Sequence, residues 1–154
     1  MEIRGLPQMV YAAVRAVGPY QQTAGPAFHR LMEWAGGAGL LTGNATVMGL
    51  SWDEPGTVPD DKLRYDAAIN IDRRIALPEG FRFGALPAMT WALATHRGPY
   101  SAISSTFGVL IEEMAARTDL IPIDLCAIEI YRSPPGTAPA DLVTDLGFPV
   151  VVFA

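Results

Sequence analysis

The chain has 154 residues, half of them hydrophobic, 18% charged, and a formal net charge of −5. That length and apolar content allow one packed domain, or two small halves sharing a core, and argue against disorder. The acidic balance argues against nucleic-acid binding, which wants a basic face, and suits a cationic small molecule or simply a soluble protein.

Residues 9–16 (MVYAAVRA) read as a first strand, ended by Gly18-Pro19-Tyr20. A proline near a helix start costs little, because its missing N–H would be unpaired anyway. A helix follows with Ala27, Leu31, Trp34 and Ala35 on one face; Gly25-Pro26 weakens its start and Gly36-Gly37 stops it. Two strands come next, 46–52 (TVMGLSW) and 64–72 (RYDAAINID), joined by the turn-rich DEPGTVPDDK. The order then repeats. Residues 88–96 (AMTWALATH) read as a strand, Gly98-Pro99-Tyr100 repeats the turn eighty positions on, and Ile103, Phe107, Leu110, Ile111 and Met114 recur at helical spacing. Strands 124–131 (DLCAIEIY) and 141–153 (DLVTDLGFPVVVF) complete the second copy. The expected fold is α+β: two pseudo-symmetric strand–helix–strand–strand units, about 9–72 and 88–153, sharing an antiparallel sheet within a single domain of residues 1–154. Both helices are expected on one face of that sheet, with a ligand cleft on the other.

Alternation along each strand sorts the side chains into two faces. Cys126, Ile128 and Ile130 are uniformly apolar and are assigned under the helices, which puts Glu129 and Tyr131 on the opposite side. Met89 and Trp91, Trp52, and Tyr65 are assigned to that same helix-free face. A carboxylate among aromatic rings is poorly solvated, so its pKa should rise unless a cation pairs with it, and the rings add cation–π attraction. A glutamate in a strand is more often a solvated residue; its shared face with these aromatics raises the ligand reading.

Cys126 is the sole cysteine, so no internal disulfide can form. No leader segment and no membrane-length apolar run is seen, and a cytoplasmic chain is expected. HExxH, paired CxxC, GxxxxGK[ST] and GxGxxG patterns are missing, so no metal and no cofactor is expected. His96 is expected to orient the second Gly-Pro-Tyr turn.

The stretches HRGPY, GLSWDEP, KLRYDAAI, IEIY and DLGFPV resemble, in order and spacing, the GyrI-like small-molecule-binding domain, over residues 3–150. That domain is also the effector-binding module of AraC-type and MerR-type multidrug regulators. The resemblance implies paired strand–helix–strand–strand units around a cleft, with a Glu-x-Tyr glutamate at its floor contacting cationic drugs. Glu129 before Ile130-Tyr131 matches that pattern, Trp91 and Trp52 hold aromatic positions, and Tyr65 matches the Tyr of the Arg-Tyr-Asp segment. No helix-turn-helix precedes the domain, so direct DNA binding is not expected and a regulator would need a separate protein partner. The leading expectation is a stand-alone binder of lipophilic or cationic aromatic molecules, for sequestration or sensing. The alternatives are a hydrolase of strained electrophilic natural products using Glu129 and Tyr131, and a topoisomerase-binding inhibitor.

Overall fold

Glycine and proline set the punctuation of the chain. Gly18 and Gly98 adopt φ of 135° and 117°, a region that side-chain-bearing residues rarely enter. Pro19 and Pro99 follow with φ of −56° and −65°, values the pyrrolidine ring imposes and a helix start accepts. Gly18 N donates to Leu63 O and Gly98 N to Leu142 O, both at 2.8 Å, so each turn is pinned to the strand that returns beside it.

The computed structural model describes residues 1–154. Its elements in chain order are β1 (Glu2–Leu6), β2 (Met9–Val17), α1 (Tyr20–Gly37), β3 (Val47–Ser51), β4 (Arg64–Asn70), β5 (Phe81–Leu86), β6 (Met89–Arg97), α2 (Ile103–Ala115), β7 (Leu120–Pro122), β8 (Ala127–Tyr131) and β9 (Val143–Val152). The architecture is α+β with antiparallel strand pairing throughout the strands described below. Strands β1, β5 and β7 add to the six expected from the sequence. They are short, and β5 sits in a stretch rich in Pro, Gly and Arg that hides its alternation. No helix is long and apolar enough to cross a membrane.

The chain forms two compact units: Gln8–Pro87, and Met1–Pro7 together with Ala88–Ala154. In the first unit the strands run in the order β3-β4-β2-β5. Helix α1 buries Ala27, Leu31 and Ala35, a four-residue spacing that keeps them on one stripe, against Val14, Tyr65, Ala67 and Ile69. Pro26 lies inside α1 and does not delay its start, which is at Tyr20. In the second unit the order is β1-β6-β9-β8, with β7 pairing the far end of β9. Helix α2 buries Leu110 and Met114 against Ala92, Leu146 and Val150. Each fully buried leucine contributes roughly 1.5–3 kcal/mol relative to exposure. Ile111, expected on the buried stripe, is 51% exposed, because the stripe of α2 is narrower than its apolar content suggests.

Gly147 explains how closely β9 packs beside β6. A Cβ added there would stand 2.1 Å from Ala92 O, backbone that cannot swing aside.

Candidate functional site

Directly opposed residues of antiparallel strands share a face, so the register decides what each side chain sees. Leu146 lies in the core beneath α2, and both Ala94 and Glu129 pair with it. Thr144 likewise pairs with His96 on one side and Tyr131 on the other. Glu129, Tyr131, His96 and Thr144 therefore stand on the α2-bearing face. Ile128, across from Gly147 and Leu93, stands on the helix-free face, and Ile130 shares that side.

This corrects the expectation that Glu129 and Tyr131 share the helix-free face with Trp91. Trp91 and Met89 do lie on that face of the second unit. Trp91 is fully buried with its Nε1 unpaired; Met89 is partly exposed at the start of β6. The first unit separates its aromatics in the same way. Trp52 is on the helix-free side, donating from Nε1 to Asp66 Oδ2 at 2.7 Å. Tyr65 is beneath α1, packed on Tyr20 and Phe28 with ring centroids 5.9 Å apart in each case. The reason is physical: Ile128, Leu93 and Trp91 are buried on the helix-free face, so apolar character does not orient these strands.

Around Glu129 the second unit assembles a compact polar group within an apolar setting. Tyr131 donates its phenolic O–H to Glu129 Oε2. Tyr100, from the turn before α2, meets the Tyr131 ring edge to face, centroids 5.4 Å apart at 86°, and is 45% exposed. His96 is buried with Nε2 2.9 Å from Pro99 O and Nδ1 2.7 Å from Thr106 Oγ1. A carbonyl only accepts, so Nε2 carries the proton, and in the neutral ring Nδ1 accepts from Thr106. Both nitrogens are thus engaged in holding the turn to α2, the orienting role expected of this residue. Thr144 is fully buried and its hydroxyl has no partner.

Burial pushes the Glu129 carboxyl above its ordinary range, opposed in part by the Tyr131 hydrogen bond and then by the nearby His96. Burial also raises the Tyr100 phenol, and the Glu129 charge adds to this. Neither lysine nor arginine pairs with Glu129, whereas the buried Asp66 of the first unit takes two bonds from Arg15 at 2.9 Å and one from Arg82 at 3.1 Å. The two units differ at corresponding register positions. Where the second has Glu129 opposite Leu146 and Tyr131 opposite Thr144, the first has Gly49 opposite Ala67 and Ser51 opposite Tyr65. Tyr65, packed beneath α1, stands at the register position that Thr144 holds in the second unit.

Of the residues singled out from sequence, the second unit brings Glu129 and Tyr131 into contact. Trp91 and Met89 lie across its sheet from them. Tyr100 was readable as part of the repeated turn. Thr144 could be found only from the register.

The two units share one architecture, an antiparallel sheet backed by a helix, and the second carries a carboxylate that neither lysine nor arginine pairs. The chain belongs to the GyrI-like small-molecule-binding domain family, whose model matches residues 1–151. A DNA gyrase inhibitor of Edwardsiella ictaluri is 31% identical over 142 residues, covering 89% of this chain and 88% of that protein. Among solved structures, the EcmrR C-terminal domain superposes with a TM-score of 0.77 at 16% identity, covering 99% of this chain and 97% of the other. The structure of SAV2435 bound to tetraphenylphosphonium gives a TM-score of 0.66 at 14% identity, covering 97% and 92%.

Proposed function

We propose that this domain binds lipophilic aromatic cations at Glu129, as a sequestering or effector-sensing module. The carrying observation is a desolvated carboxylate with no cationic partner, hydrogen-bonded by Tyr131 and edged by the half-open Tyr100 ring. The Coulombic attraction of a cation brought to Glu129 offsets the hydration energy lost on burial, and each well-placed ring adds about 0.5–2 kcal/mol. Family membership and a structural neighbour solved with tetraphenylphosphonium support the same reading.

The test is a fluorescence titration with naphthylmethyl-trimethylammonium and its neutral carbon isostere, in which a tert-butyl group replaces trimethylammonium. Glu129→Gln should weaken the cation by tenfold or more, from a lost charged interaction of about 1.5–3 kcal/mol, and leave the neutral compound unchanged. Equal loss for both compounds would mean a packing fault and refute the proposal. Mass spectrometry of an aryl epoxide incubated with the protein, which gains one water if it is hydrolysed, separates binding from hydrolysis. The relatives named DNA gyrase inhibitor favour a second reading, in which the domain binds a topoisomerase; a supercoiling assay with purified gyrase checks it.

A further inference from the structure

We infer that a notch at the β1 edge of the second unit's sheet binds a small zwitterion of the free α-amino-acid class, with Arg4 taking its carboxylate. The inference does not depend on the reading at Glu129. Strand β1 pairs Glu2 with Leu93 and Leu6 with Met89, while β6 runs on to Arg97, so a space opens beside Ala94 and Thr95. A cavity of about 240 Å³ lies there, with Glu2, Arg4, Leu93, Thr95 and Asp145 in its wall. That is smaller than the roughly 300–1,000 Å³ of drug-sized pockets and suits a small ligand.

The other arginines of the chain show what this one lacks. In Arg15, Arg64 and Arg117, Nε and Nη2 together grip both oxygens of one aspartate. Arg4 presents the same two nitrogens to no hydrogen-bonded acceptor. Its Nε is buried without a partner, 3.9 Å from Glu2 Oε1, and its Nη2 stands 4.0 Å from Asp145 Oδ2. Both gaps exceed hydrogen-bond reach, and a buried orphan donor is costly. Asp145 is held back from closing its gap, because Thr95 donates to Oδ1 and Arg132 to Oδ2, each at 2.8 Å.

The neighbouring charges select the ligand. A simple anion on Arg4 would be repelled by Glu2 and Asp145, and a simple cation on those carboxylates would be repelled by Arg4 and Arg132. A molecule carrying a carboxylate beside an ammonium meets both signs. Each Asp145 oxygen has taken one donor and keeps lone-pair capacity for the ammonium. Burial pushes the Asp145 carboxyl up, but the Thr95 and Arg132 hydrogen bonds and the Arg132 and Arg4 charges outweigh it. The group is held below its ordinary range and stays ionised.

The experiment titrates ¹⁵N-labelled protein with each standard amino acid to about 10 mM, reading the Arg4 Nε–H and Thr95 amide signals. At least one amino acid should saturate with a Kd of about 1 mM or lower. The same molecule stripped of its ammonium or of its carboxylate (4-methylpentanoate and 3-methylbutylamine in the case of leucine) should bind roughly tenfold more weakly or worse. Arg4→Lys keeps the charge but loses the fork, and should cost a similar factor. The Arg4 side chain makes no hydrogen bond, so this variant should fold, which circular dichroism melting checks; the comparison of analogues on wild type needs no variant. If no amino acid moves either signal, water serves the fork and the inference is overturned. Binding that the deaminated acid matches, or that survives Arg4→Lys in a folded protein, overturns it as well.

Discussion

Glu129 sits where its charge is costly, and that cost has a sign with pH. Burial raises its folded-state pKa above the ordinary value of 4.5, so the native state holds more protons than the unfolded chain between those two values. The free protein is therefore expected to lose stability as pH rises from the ordinary glutamate range through the raised pKa. Glu129→Gln, which never ionises, should flatten that part of the profile; urea midpoints measured across the range check this. The Glu-x-Tyr spacing was legible in the sequence as a candidate site, because Glu129 and Tyr131, two residues apart on a strand, must share a face. Which face was not legible. Ile128 and Ile130 are as apolar as residues packed under a helix, yet they lie on the opposite side. The same ambiguity put Tyr65 with Trp52, where pairing separates them.

At the scale of elements, the second turn and α2 are joined through His96. Its two ring nitrogens bond Pro99 O and Thr106 Oγ1, tying the end of β6 to the turn and to the first residues of the helix. His96→Ala removes both bonds, each worth about 0.5–1.5 kcal/mol net, so a destabilisation of about 1–3 kcal/mol is expected from chemical denaturation. The first unit has Ala16 opposite Tyr65 where the second has His96 opposite Thr144, and it holds its turn differently, with Tyr20 Oη donating to Asp53 O at 2.6 Å. The helices and six strands were readable from periodicity and from the Gly-Pro-Tyr punctuation. Strand β7 was not, because three residues including a proline carry no alternation, and its existence depends on the far end of β9 being there to pair with. Strand β1 belongs to the second unit through its pairing with β6, residues more than eighty positions away, and no local pattern could announce that partner.

Over the whole molecule, the net charge of −5 adds a diffuse attraction for cations to the specific one proposed at Glu129. The two parts respond differently to salt. The long-range part is screened beyond about 8–10 Å at physiological ionic strength, whereas a desolvated contact is screened much less. Raising salt should weaken cation binding modestly and by a similar factor in wild type and in Glu129→Gln, leaving the difference between them intact; titrations at low and high sodium chloride read this out. Composition alone showed the acidic balance, but the place where the charge becomes chemically distinct depends on the one carboxylate that burial leaves without a cation. The most direct measurement is the proton count on binding, from calorimetry of naphthylmethyl-trimethylammonium in buffers of different ionisation enthalpy at a pH near the raised Glu129 pKa. If the cation meets the ionised carboxylate, wild type releases a fraction of a proton, while Glu129→Gln and the neutral isostere release none. Binding of the cation with no proton released at any pH across that range would contradict the assignment of Glu129 as its partner.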